Sequence, residues 1–177
     1  EISFSLRRAV FEFSGRHFSY APLMLLLLAL AVGVVGGAYG IGGGAIIDGR
    51  LILGKSKNAS EIGHLSVDTK YHIPCTCGKG IGHWEGIASG MNIPRFLKIW
   101  AEREHKNIPP FQEAKLIFQE AKKGNNTVLG FLEELSKLNA HAISDIIVAY
   151  DPELITIGGS VALNNQNIII RGIKKYV

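Results

Sequence analysis

Between residues 61 and 86 the chain reads EIGHLSVDTKYHIPCTCGKGIGHWEG. This stretch holds His64, His72 and His83, Cys75 and Cys77, and Glu61 and Glu85. Imidazole and thiolate together suit zinc, which takes four such ligands in a tetrahedron. Cys75 and Cys77, with His64 before them and His83 after them, could supply that set, and His72 competes with either histidine. A tight loop with few apolar anchors gains stability from such an ion. The plainer alternative is two reduced thiols beside solvated histidines. The two glutamates suggest other work. A carboxylate accepts hydrogen bonds from hydroxyls, and an imidazole can accept or donate. Glu61, His64 and Glu85 could therefore read the edge of a sugar. Either glutamate alone would more simply be a solvated surface residue.

Two glycine-rich stretches are further candidates. GIGGG at 40–44 follows an apolar run, where bare backbone amides can approach a phosphate. It has no following Lys-Ser or Lys-Thr, so it is not a P-loop, and it runs into a hairpin and not into the helix of a dinucleotide fingerprint. IGGSVA at 157–162 is a strand-to-helix junction of the kind that binds ligands at the edge of an open sheet. Both also suit close packing alone.

The elements that position these residues follow from pattern. Residues 1–19 read as a short amphipathic or irregular leader, and 20–39 as an apolar run. Asp48-Gly49 is a preferred two-residue hairpin turn, which predicts strands at 44–47 and 50–53. Residues 61–86 read as loop with short elements. EGIASGMN and PRFLKIWAEREHK suggest two helices, with Pro94 opening the second. A third has Phe111, Ala114, Ile117, Phe118 and Ala121 on one face and ends near Gly124. A longer helix spans 126–149, with Val128, Leu132, Leu135, Leu138, Ala142, Ile146 and Ala149 at helical spacing, and Asp151-Pro152 stops it. ELITIGGSVA predicts a buried strand. A last helix begins near Asn164 and runs to Val177. This order points to α/β or α+β architecture.

Composition bounds the rest. The 177 residues suffice for one domain or for a piece of a larger protein. Nineteen basic against fifteen acidic residues give a net charge of +4, and their scatter does not indicate nucleic-acid binding. Cys75 and Cys77 are too close in sequence for an unstrained bridge, which argues for a reduced or metal-bound pair. From Phe18 to Ile47 there is no Asp, Glu, Lys or Arg. That run reads either as a membrane-spanning helix or as a buried helix or strand of a soluble core. Six glycines between Gly36 and Gly44 weaken a long helix.

Taken together, GIGGG at 40–44, EIGH at 61–64, CTCGKGIGHWE at 75–85 followed by ASG at 88–90, and DPELITIGGS at 151–160 resemble the ROK family of sugar kinases and related repressors. The likeness covers roughly residues 40–177, and the GHWE form resembles the archaeal-type glucokinase or hexokinase branch. The resemblance implies the incomplete C-terminal kinase domain of an actin-like (ribonuclease-H-like) α/β fold. It implies transfer of the γ-phosphoryl group of ATP to a hexose such as glucose, with Mg2+. It places Gly40, Gly42 and Gly43 in a phosphate loop, and Gly158, Gly159 and Ser160 beside the adenosine. It puts Glu61, His64 and Glu85 on sugar hydroxyls and makes His64, Cys75 and Cys77 ligands of a structural zinc. The family's usual fourth ligand is a cysteine; here His83 takes its place, in a loop one residue longer. Oligomers are common in the family, and such a kinase is expected in the cytoplasm.

The departures set further expectations. The D-x-G-x-T phosphate loop and the D-x-N-A aspartate that takes the sugar's proton are absent from these residues, and Asp48 is the first aspartate. Tyr39 stands where a threonine is expected, and the family's final helices are not reached. Because phosphoryl transfer needs that base, the chain alone is expected to be inactive. Residues 1–46 resemble the start of a TauE/SafE-type membrane protein, which would allow membrane contact through 20–39. The division expected is therefore 1–39 as leader and 40–177 as a partial kinase domain. A non-catalytic sugar- or zinc-binding module and a membrane-transporter fragment are the rival readings.

Overall fold

The computed structural model describes residues 44–177 throughout and, before them, the backbone of three strands. These are β1 (Ser3–Phe4), β2 (Ala9–Phe13) and β3 (Arg16–Tyr20), joined as an antiparallel sheet in the order β1-β2-β3. Ala9 lies opposite Tyr20, and Phe11 opposite Phe18. The leader, expected to be amphipathic or irregular, contains paired strands: AVFEF and RHFSY are rich in aromatic residues, which suit them. The apolar run at 21–39 and Gly40, Gly42 and Gly43 lie outside the described residues.

The predicted hairpin is present but shorter. β4 (Ile46–Ile47) pairs with β5 (Arg50–Leu51), and the Ile52 amide reaches the Ala45 carbonyl at 2.9 Å. Asp48 and Gly49 both have positive φ, 51° and 72°, as the tightest two-residue turn demands.

Beyond residue 83 the chain is mostly helical. α1 (Trp84–Ala88), α2 (Ile93–Arg103), α3 (Ala114–Lys122) and α4 (Asn126–Tyr150) follow the periodicity closely. The Asn125 side chain caps α4 by accepting from the amides of Thr127 and Val128 at 3.1 and 3.2 Å. The far end closes at Asp151, in a left-handed conformation with φ 43°. α4 is the axis of the core: Val128, Phe131, Leu132, Leu135, Leu138, Ala142 and Ile143 are buried along it. Phe131 meets Phe96 and Trp100 of α2 edge-on, at ring separations of 5.1 and 5.7 Å.

The strand predicted at ELITIGGSVA does not form. Residues 152–158 are irregular, with Leu154 62% exposed. A strand needs a neighbour to satisfy its amides and carbonyls, and none pairs with this segment among the described residues. The C-terminal helix is two pieces, α5 (Ser160–Asn164) and α6 (Gln166–Lys174), and it stops short of Val177.

Candidate functional site

The chemistry-bearing residues sit on three short arms laid side by side. The first leaves a single 3-10 turn, Ile62–His64, where the His64 amide bonds to the Glu61 carbonyl at 3.0 Å. The second carries Ile73 to Cys75, and the third Gly80 to His83. The third lies in the middle: Val67 donates its amide to the Gly82 carbonyl at 2.9 Å, Gly82 to Ile73 at 2.8 Å, and Cys75 to Gly80 at 2.9 Å. Ser66 and His83 are bridge partners, as are Pro74 and Ile81. The arms are too short to be stable ladders alone.

Asp68 closes one end. Its side chain is 4% exposed. Oδ1 accepts the amides of Lys70 and Tyr71, each at 2.8 Å, and Oδ2 accepts that of Ile73 at 3.4 Å. This is an Asx-type turn, extended to a third donor, and it folds the first arm back towards the second. Tyr71 then donates its hydroxyl to Glu134 Oε1 of α4 at 2.8 Å and packs on Phe96.

These arms bring His64, Cys75, Cys77 and His83 together, with their ligating atoms all within 4.8 Å of one another. Cys77 Sγ lies 3.5 Å from His83 Nδ1, and the two imidazoles are 5.2 Å apart, centre to centre. His72 is exposed and outside the group. The Lys79 amide points at Cys77 Sγ from 3.4 Å. Burial pushes the Cys75 thiol above its usual pKa; the Cys77 backbone amide opposes this, and the Cys77 thiol and Glu85 add to it. Two sulfurs and two ring nitrogens, converging where a thiol is disfavoured as a bare anion, fit a divalent zinc ion.

Two glycines make the geometry possible. A Cβ on Gly80 would lie 2.2 Å from His83 Nε2. Gly82 has φ 74°, and a Cβ there would meet the Asp68 carbonyl at 2.0 Å.

Glu85 lies in the first turn of α1, and its Oε2 is 3.7 Å from His64 Nδ1. The structure thus joins His64 to both the metal-type cluster and a carboxylate. Glu61 is exposed, immediately before the His64 turn. Gly158, Gly159 and Ser160 are exposed at the start of α5, with Gly159 at φ 89°. Residue types and spacing do not single out three supporting side chains. Asp68 is one, and the spacing D-x-K-Y could have signalled its turn. Asn92 is another: its Nδ2 donates to the Glu85 carbonyl at 3.0 Å. Trp84 is the third, bonded to Asn139 Oδ1 at 2.7 Å.

Comparison with known proteins extends beyond this loop. A glucokinase from Pyrobaculum calidifontis is 40% identical over 136 residues, covering 77% of this chain and 44% of the relative. A glucokinase from Aeropyrum pernix is 34% identical, covering 78% and 46%. The crystal structure of a ROK family glucokinase from Streptomyces griseus, in complex with glucose and AMPPNP, superposes with a TM-score of 0.64 at 27% identity, covering 78% of this chain and 46% of that one. The chain spans less than half the length of these relatives. The family model matches residues 30–177. The match takes in part of the 1–46 stretch that resembles a membrane protein and gives that resemblance no support. No helix among the described residues is long and apolar enough to cross a membrane. With a family match over most of its length and neighbours of the same actin-like architecture, the chain belongs to the ROK family.

Proposed function

We propose that this chain is the sugar-gripping part of an ATP-dependent hexose kinase, with glucose as its substrate. The observation that carries the reading is the shared position of His64. One imidazole lies both in the four-donor cluster and 3.7 Å from the Glu85 carboxylate. An imidazole has two ring nitrogens, so it can face an ion on one side and a hydroxyl on the other. Glu85 accepts from sugar hydroxyls, and Glu61, at the start of the same turn, joins it. His64, Cys75, Cys77 and His83 would hold zinc. The ion's contribution is structural: it braces a loop whose arms have few bonds of their own.

Gly158, Gly159 and Ser160 border the adenosine, and Gly40, Gly42 and Gly43 approach the phosphates with Mg2+. The glucokinase relatives and the glucose-AMPPNP complex of one of them support this part of the reading. The site works in the cytoplasm, where ATP and reduced thiols coexist.

Two measurements test the proposal. Elemental analysis of the purified chain should find about one zinc per molecule. Saturation-transfer NMR, which detects weak ligands, should show glucose protons receiving signal from the protein, and Glu85→Gln should abolish it. A folded wild-type chain that transfers nothing to glucose would overturn the sugar reading.

A further inference from the structure

Trp84 stands between two working residues: His83, a donor of the metal-type cluster, precedes it and Glu85 follows it. It is fixed from two directions. Its backbone amide donates to the Leu65 carbonyl at 2.9 Å, which ties it to the turn that carries His64. Its indole Nε1 donates to Asn139 Oδ1 at 2.7 Å, inside the protein. Both side chains are about 8% exposed. Asn139 lies midway along α4, the most extensively buried helix of the core. No other side chain of residues 83–85 makes a direct hydrogen bond to α4 among the described residues.

We infer that Asn139 is a positioning residue for the site: by holding the Trp84 indole it sets where His83 and Glu85 point. This rests on the zinc and sugar reading above. A buried indole N–H left without its acceptor is costly, so the ring turns to find another partner. The backbone between His83 and Glu85 turns with it. One amide on a helix therefore governs a metal donor and a substrate carboxylate that it does not touch.

The test compares three variants of the 177-residue chain with the wild type, using Zn2+ competition against a chromophoric chelator and the visible spectrum of the Co2+ form. Asn139→Ala should bind metal about tenfold more weakly and change the Co2+ bands. Asn139→Asp keeps the acceptor oxygen and should recover most of the affinity. Tyr71→Phe removes a bond of similar length to the same helix. It should lower the melting temperature but leave metal affinity within about twofold. Should Asn139→Ala fail to fold, Trp84→Phe breaks the same bond from the other end. Wild-type affinity and spectrum in Asn139→Ala would overturn the inference. If the wild type itself takes up no metal, the zinc reading falls. Amide NMR shifts then decide the positioning: movement at residues 83–86 in Asn139→Ala sustains it, and no movement refutes it.

Discussion

Asp68 shows how much a single buried carboxylate can organise. It meets three backbone amides and no cation among its hydrogen-bond partners. Asp68→Ala leaves those donors facing apolar surroundings, at about 1–3 kcal/mol each where no water reaches. A total loss of about 3 kcal/mol in urea denaturation is expected, together with weaker zinc retention. Metal removal is the companion experiment. A strong chelator should lower the melting temperature of the wild type, and Cys77→Ser should give a protein that the chelator no longer affects. At this scale the sequence was informative about donors and silent about supports. His64, Cys75, Cys77, His83 and Glu85 stand out by type and spacing, because imidazole, thiol and carboxylate side chains gathered in one short stretch are a recognisable set. Asp68 acts through nearby backbone amides, signalled only by the short D-x-K-Y spacing, while Trp84 and Asn139 meet across 55 positions and leave no local pattern.

Among the elements, α4 and the Asp68 turn are joined by the hydrogen bond between Tyr71 and Glu134. Burial raises the Tyr71 pKa to about 12; the bond to Glu134 adds to this and Lys70 opposes it. The folded state therefore holds the phenolic proton more tightly than the unfolded chain, whose tyrosines titrate near 10. The associated stability is complete below pH 10 and is lost as the pH climbs towards 12. Denaturation midpoints measured across that interval should fall for the wild type and fall less for Tyr71→Phe. The helices themselves were legible, since a 3.6-residue repeat is written into consecutive positions. The segment 152–158 was not. Its β-branched composition suits a strand, but a strand exists only where another lies beside it, and that partner is a property of the remote chain. The short β1–β3 sheet illustrates the converse: its aromatic-rich strands of two to five residues are too brief to stand out.

For the molecule as a whole, the family likeness settles more than any one element does. It gives the architecture, while the chain covers under half the length of its relatives. Within these residues the first aspartate is Asp48, and it occupies the hairpin turn at positive φ. The D-x-N-A motif expected to carry the base for the sugar's proton is not among these residues. A coupled assay on the isolated 177-residue chain should show no glucose-dependent ADP formation; measurable turnover would mean that a base exists which neither motif nor geometry reveals.

The close approach of the His83 ring to Gly80 has an evolutionary corollary. Adding a methyl group at Gly80 would drive the imidazole away, whereas a smaller sulfur donor at position 83 would leave room for it. The two sites are consequently locked to each other. A lineage that swaps histidine for cysteine at 83 is freed to vary position 80, and one that keeps the histidine is not.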